Sequence, residues 1–373
     1  MSAAALTLKV GGLLYAGWTS VAVQNSIEQL AGAFTLSLTE KWPGQSEQWE
    51  IPAGERCEIL IGETPVITGY VDKISVSFDA TSHTLSVSGR DAAGDLVDCT
   101  APPLAFTGRR FLDVAQTLCK PYGITVTDET GGSAPLPKCA PQTGETVFRT
   151  LEKLARQHGV LLVSDRQGGI VITRAGLAGE SGTALEIGKN ILSAQMDFDA
   201  SQLFSEITIK GQGSMATESK FDVIGCGPKG KVTAAPSTSA ATSGWITRHR
   251  PLVIIAETQA DRARCQNRAE WEAGNREAKA KKITVTVQGW AKPDGEIWQI
   301  NQTIRLIAPW LRADKTWLIS GANFQLDEGG SKTTLTLTGE KAFALLPEIP
   351  ARKGGGKGGS ESKYQVIGGK KNV

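Results

Sequence analysis

Alternation of apolar and polar residues dominates the first hundred positions. Phe34, Leu36 and Leu38 interleave with Thr35, Ser37 and Thr39, the period-two pattern of a strand with one buried face. Cys57, Ile59 and Ile61 repeat it, and Gly62-Glu63-Thr64-Pro65 punctuates a turn. Ile74, Val76 and Phe78 form a further strand face, Asp79 to His83 is polar turn material, and Leu85 with Val87 begins a return strand. Between residues 101 and 180 the period changes. Phe111, Leu112, Ala115, Leu118 and Cys119 have helical spacing, Gly123 is placed to stop the helix, and Ile124-Thr125-Val126 reads as a short strand. The same sentence returns about 36 residues later as Val147, Phe148, Leu151, Leu154 and Ala155, then Gly159, then Val160-Leu161-Leu162. Glycine at a helix end suits a left-handed cap. Arg166-Gln167-Gly168-Gly169 makes a hairpin turn into Ile170-Val171-Ile172. The pattern predicts two small helix-strand units side by side.

Strand patterning resumes over residues 181–345. Leu203 to Lys210 is one strand. The stretch 211–251 is long, polar and rich in Ser, Thr, Ala and Gly, so it is a functional or a flexible connection. Residues 257–282 read as a helix with a thin apolar stripe, mostly Ala260, Ala263, Ala269 and Trp271. Arg262, Arg264, Arg268 and Arg276 decorate its other faces. Two readings stay open for it, an exposed helix with internal ion pairs or a helix packed at a subunit interface. Residues 346–373 include Lys353-Gly354-Gly355-Gly356-Lys357-Gly358-Gly359-Ser360, a linker composition, followed by Tyr364-Gln365-Val366-Ile367.

A second, longer repeat is the most informative feature. Thr84-Leu85-Ser86-Val87-Ser88-Gly89 reappears as Thr334-Leu335-Thr336-Leu337-Thr338-Gly339. Trp49-Glu50-Ile51 matches Trp298-Gln299-Ile300, and Trp42-Pro43-Gly44 has a counterpart in Trp290 with Pro293-Asp294-Gly295. Ile59 and Ile61 meet Ile304 and Leu306, while Val71 and Asp79 meet Ile319 and Asp327. Farther upstream, Phe34 pairs with either Ile283 or Ile207. One alternating strand recurs easily by chance; a collinear series with shared turns does not. The expectation is mainly β architecture with an α+β insert: two related small antiparallel β-barrels linked by a helix-strand repeat segment. The first barrel spans 1–100, the α/β segment 101–180, and the second barrel 181–345. The loop 211–251 and the helix 257–282 are insertions in the second barrel, and 346–373 is a Gly/Lys-rich tail.

Composition narrows the chemistry. The chain of 373 residues is 40% hydrophobic, enough for a packed core. Its 40 Lys and Arg nearly balance 38 Asp and Glu, so bulk charge does not make it a nucleic-acid binder. Cys57, Cys99, Cys119, Cys139, Cys226 and Cys265 form no CxxC pair and read as free thiols of a reducing compartment. The N-terminal stretch has no basic leader, and no apolar run approaches the ~20 residues that span a bilayer.

The motifs that would carry catalysis fail. Gly225-Cys226-Gly227-Pro228-Lys229-Gly230-Lys231 approaches a phosphate loop, but Val232 replaces the Mg²⁺-binding hydroxyl and no helix follows. Gly211-Gln212-Gly213-Ser214-Met215-Ala216 lacks the helix of a dinucleotide site. His83, His158 and His249 lack metal-ligand spacing. Glu152 with Asp165, or Asp197 with Asp199, carries no sign of the desolvation that glycosidase carboxylates need. The expectation is no catalytic residue, no cofactor and no metal. Nine tryptophans leave a carbohydrate-binding or adhesin-like module as an alternative, and a tail-associated cell-wall hydrolase as a third reading.

Three stretches carry a family resemblance: Trp18 to Leu38, Gly289-Trp290 through Trp298-Gln299-Ile300-Asn301, and Leu335 through Phe343. With them the chain resembles, over essentially its full length, the baseplate hub proteins of Mu-like contractile-tailed phages. It is similar also to the N-terminal hub region of type VI secretion spike proteins. The resemblance implies a non-enzymatic homotrimer between the tail tube protein and the central spike protein, in contact with other baseplate proteins. It implies a virion tail baseplate location, assembly in the host cytoplasm, and DNA passing through the ring without specific recognition. The chain ends soon after the second barrel, so a spike or lysozyme-like domain would belong to separate chains. Candidate contact residues are Arg262, Arg268, Trp271 and Arg276 on the helix and Tyr364, Val366 and Ile367 in the tail.

Overall fold

The computed structural model describes residues 5–39, 51–78, 83–133, 135–136, 138–212, 229–232, 246–259 and 262–344. Most of the 211–251 connection, the Trp42 and Trp49 matches and the whole 346–373 tail lie outside them.

The alternating segments form strands. The first seven are β1 (Leu6–Val10), β2 (Leu13–Tyr15), β3 (Ser20–Ser26), β4 (Ala33–Thr39), β5 (Arg56–Ile61), β6 (Thr64–Phe78) and β7 (His83–Asp91). They pair antiparallel in the order β3-β4-β7-β6-β5-β1-β2. Val21, Val23, Phe34, Leu36, Ile59 and Val87 point to one buried face, as period two requires. Gly69 on β6 lies opposite Asp91. A Cβ there would sit 2.0 Å from the Arg90 carbonyl oxygen, so the close crossing of β6 and β7 needs glycine.

The change of period marks an α/β segment. It contains α1 (Gly94–Asp98), β8 (Phe106–Thr107), α2 (Phe111–Cys119), β9 (Val126–Asp128), β10 (Lys138–Cys139), α3 (Val147–His158), β11 (Leu161–Ser164) and β12 (Ile170–Thr173). Strands β8 and β10 form a short ribbon, and the order β11-β12-β9 makes a small sheet. Thr146 caps α3 by accepting from the Arg149 N–H. Gly159 ends α3 at φ 63°, and Gly123 ends the turn after α2 at φ 66°. Both are left-handed caps at the positions the repeat indicates. Phe111, Val114, Leu118, Leu151 and Leu154 share one core with Ile170 and Ile172.

The remaining strands are β13 (Leu185–Glu186), β14 (Ile191–Phe198), β15 (Glu206–Gln212), β16 (Lys229–Val232), β17 (Pro251–Gln259), β18 (Lys281–Gln288), β19 (Thr303–Ile307), β20 (Lys315–Asp327) and β21 (Gly330–Thr338), with α4 (Arg262–Ala280) between β17 and β18. Strands β14-β18-β21-β20-β19-β13 follow one another by pairing, as β3-β4-β7-β6-β5-β1 do in the first half. The duplication is therefore present in strand order. It breaks at one place, where β13 runs parallel to β19 while β1 runs antiparallel to β5.

Register corrects the residue matches. Val71 faces Gly89 and Lys73 faces Ser88, with a bulge between; Ile319 faces Leu337 and Gly321 faces Thr336, with a bulge between. The two hairpins are the same object when Val71 is laid on Ile319 and Val87 on Leu335. The expected match of Val87 with Leu337, and hence of Gly89 with Gly339, slides by two residues. The match of Ile59 slides likewise, from Ile304 to Leu306: Ile59 faces Ile67, and Leu306 faces Lys315, the counterpart of Ile67. A two-residue slip leaves the inward face unchanged, so alternation cannot detect it. Phe34 faces Gly89 and Ile283 faces Leu337, which decides for Ile283 over Ile207.

The larger correction concerns the barrels. Strand β3 pairs antiparallel with β20, from Ser26 opposite Gly321 to Val21 opposite Leu326. The two halves thus join edge to edge in one 13-stranded sheet, and no closed barrel is found among the described residues. Leu36, Ile59 and Val87 of the first half belong to the same buried cluster as Val285, Leu306, Trp317 and Leu337 of the second. The buried cluster is continuous across the joint. The insertion is a separate small layer: β16-β15-β17 form a sheet, and Ala269 of α4 packs on Ile207 and Ile209.

The α/β segment is pinned to both halves through its β11–β12 turn. The Thr68 hydroxyl donates to the Arg166 carbonyl at 2.9 Å, and the Arg166 guanidinium donates to the Trp298 carbonyl at 2.8 Å. Asn301, at φ 65°, accepts from the Gly176 N–H and donates to the Arg174 carbonyl, each at 2.9 Å. Asn tolerates this left-handed conformation better than most residues.

Candidate assembly interface

The helix residues singled out from the sequence divide into two pairs. Arg262 and Arg268 lie on α4, but their side chains fall outside the described residues. Trp271 and Arg276 are half-buried and engaged within the chain. The Trp271 indole N–H donates to the Ala344 carbonyl, and the Asn275 amide donates to the Ala342 carbonyl. Arg276 pairs with Glu272 at 3.2 Å and donates to Gln202 at 3.3 Å. Its guanidinium stands 5.4 Å from the Phe204 ring centroid. These contacts fasten α4 to the chain that follows β21 and to the turn before β15. Tyr364, Val366 and Ile367 lie outside the described residues.

The carboxylates considered for catalysis make local contacts. Glu152 pairs with Arg156 at 3.1 Å. Asp165 accepts from the Gln167 and Gly169 N–H groups of its own turn. Asp197 accepts from Gln195, and Asp199 caps Ser201. No group of three or more His, Cys, Asp or Glu is placed to hold a metal among the described residues. A cleft of about 350 Å³ lies where the three segments meet, lined by Asn25, Val66, Glu129, Arg166, Trp298 and Asn301. Its charged groups are tied down: Glu129 accepts from the Thr173 hydroxyl, and Arg166 holds the Trp298 carbonyl. Asp91, at the joint of β7 with the α/β segment, is pushed up to about 6 by burial, against the hydrogen bonds from Ser164, Gly32 and Ala93 that favour its charge.

Among the described residues, the surface presents strand edges without a pairing strand and exposed apolar side chains. Leu13 and Leu14 are exposed on β2, Leu192 on β14, and Val76 and Phe78 on the outer half of β6. Trp310 stands out on the turn between β19 and β20. That turn is anchored by buried Ala308 and Ala313 and by the Trp317 indole N–H donating to the Ala313 carbonyl at 3.0 Å. An apolar strand face is legible in sequence, but whether another strand covers it is not, so these residues were missed as surface.

Three family models match the chain. The N-terminal domain of the Mu phage baseplate assembly protein GpP-like family covers residues 5–91. The second domain of baseplate hub protein gp44-like proteins covers 93–174, and the fourth domain of Mu phage baseplate assembly protein GpP covers 261–346. The chain is 32% identical over 366 residues to the baseplate hub protein gp44 of Escherichia phage Mu, spanning 95% of this chain and 93% of that relative. This chain belongs to the Mu-type baseplate hub family. As a hub-family member it also matches the crystal structure of the 43 kDa tail protein of prophage MuSo2 from Shewanella oneidensis. That match has a TM-score of 0.80 and 33% identity, and covers 91% of this chain and 99% of that one. The hub fold extends further, to an E. coli type VI secretion component, c3393, with a TM-score of 0.53 at 10% identity over 92% of this chain and 80% of that one. The role of the chain is accordingly that of a structural baseplate hub protein of a phage tail.

Proposed function

We propose that the chain acts as a homotrimer that adapts the sixfold tail tube to the threefold central spike of a contractile tail, without catalytic activity. The observation that carries this is the duplicated strand order within one chain. Two equivalent sheet halves, arranged around a threefold axis, offer six similar units to the tube. The insertion from β15 to α4 occurs in the second half only, so one face of such a ring has threefold character and suits the spike. Closed cyclic assembly satisfies every interface and leaves no end to polymerise. In this reading the ring forms in the host cytoplasm, joins other baseplate proteins, and lets DNA pass without specific recognition. The tail beyond residue 350 serves as a contact segment for the spike or neighbouring baseplate chains.

Burial of the tryptophans supports a structural role over sugar binding. Trp18, Trp290, Trp298 and Trp317 are core residues, unavailable for stacking on a glycan. Light scattering on the purified chain, alone and mixed with its spike protein, tests the proposal. A mass of three chains is expected in at least the mixed sample; a single-chain mass in both overturns it.

A further inference from the structure

The joint inside the chain specifies the joint between chains. This inference rests on the ring reading above and deepens it. Strand β20 has two partners along its outer side: β19 against Lys315 to Leu318, then β3 against Gly321 to Leu326. Its counterpart β6 has β5 against Thr64 to Tyr70. Beyond the bulge, Lys73 to Phe78 pair with β7 on one side only among the described residues. Among the described residues, no strand takes on β6 the place that β3 fills on β20. Conversely, β3 lies between β4 and β20, whereas its counterpart β14 pairs with β18 and, among the described residues, forms the end of the sheet. Among the described residues, each chain therefore carries one paired and one unpaired copy of the same two edges.

We propose that β14 of one copy pairs antiparallel with the outer half of β6 of the next, in the register of β3 on β20. Val23 lies opposite Phe34, and Met196 opposite Ile283, so Met196 stands for Val23. The shared bulge sets Val76 on Phe324. Val23 faces Phe324 within the chain; hence Met196 faces Val76 of the neighbour. The adjacent inward pairs are Ala194 with Phe78 and Phe198 with Ile74. One step further, Asp199 comes opposite Lys73, with opposite charges.

The side chains have the chemistry of such a joint. Ala322 and Phe324 are buried under β3. At the places equivalent to these two, Ile74 is partly buried and Val76 is 58% exposed; one inward position further, where Leu326 is partly buried, Phe78 is 82% exposed. Ile74, Ala194 and Met196 all lie at margins of the main core, so the pairing extends that core across the boundary. It also covers an apolar strand edge that would otherwise invite uncontrolled pairing. The contact is heterologous, and repeating one rotation through six halves closes it at three chains.

Paired cysteines at Val76→Cys and Met196→Cys test the register. Opposed Cα atoms of antiparallel strands are about 4.5–5.5 Å apart, within disulfide range. Under mild oxidation the double variant is expected to give a covalent trimer on a non-reducing gel. Each single variant, and the pair Val76→Cys with Gln195→Cys, should remain mainly at single-chain mass. Phe78→Asp should leave the circular dichroism spectrum unchanged and weaken self-association at least tenfold. Mass photometry of the unmodified chain reads the ring independently. A trimer by mass in which the 76/196 pair does not cross-link overturns this strand pairing and spares the ring. A cross-linked ladder running past three chains overturns closure, and a single-chain mass at every concentration overturns both.

Discussion

Replacing Phe324 with alanine should unfold more than its own strand. Phe324 is 1% exposed and faces Val23, itself fully buried, at the joint where β20 of one half meets β3 of the other. Loss of a buried phenylalanine costs about 3–5 kcal/mol, the transfer of the ring plus the cavity it leaves. That lowers the folded-to-unfolded ratio at least a hundredfold, since each 1.4 kcal/mol is about a factor of ten. Because both halves share one core, the loss should appear as one earlier transition rather than as release of the second half alone. Urea unfolding followed in parallel by far-ultraviolet circular dichroism and tryptophan fluorescence measures both points. Val76→Ala is the internal control: it occupies the equivalent strand position but is largely exposed in the single chain. With the chain kept monomeric by dilution, it should cost no more than about 0.5 kcal/mol. The reasoning is refuted if Phe324→Ala costs under about 1 kcal/mol, or if the two probes separate into independent transitions.

Three further outcomes are expected. The carboxyl of Asp91 sits at about 6 in the folded chain against 3.8 in the unfolded one, so the native state holds this proton to higher pH. Its contribution is fully present below about pH 4 and is lost as pH rises through 6, a change of about 3 kcal/mol by linkage. Asp91→Asn should remove that slope and, because its amide N–H would face the Gly32 or Ala93 N–H donors, be less stable at pH 4; urea midpoints across pH 4–8 would show a pH-independent difference if the assignment is wrong. Arg166→Met should cost about 1.5–3 kcal/mol through the charge-assisted bond to the Trp298 carbonyl, read as a lower thermal midpoint with the α/β segment still folded by circular dichroism. Deleting residues 351–373 should leave the unfolding midpoint unchanged and weaken co-purification with the spike or adjacent baseplate chains, and unchanged co-purification counts against a contact role for the tail.

Local chemistry alone determined much of this molecule. Period-two runs around Leu36, Ile59 and Val87 specify strands because side chains on an extended backbone alternate in direction. Helical spacing from Phe111 and from Val147, each followed by glycine, specifies two capped helical segments. The collinear repeat made the duplication visible, since turns and strand lengths are written locally. Register was not legible, because a slip of two residues preserves the alternation; only the hydrogen-bonded partners of Val71 and Ile319 placed it. The contacts of Trp271 and Arg276 were hidden too, for a helix pattern shows which residues share a face and not what that face meets. The decisive feature was the least local. Ser26 and Ser320 are 294 positions apart, and nothing in either strand names the other as its neighbour. Any half-buried strand can accept many partners through its backbone, so tertiary structure decided that β3 lies on β20, that the two halves join in one continuous sheet among the described residues, and that Val76 and Phe78 are exposed.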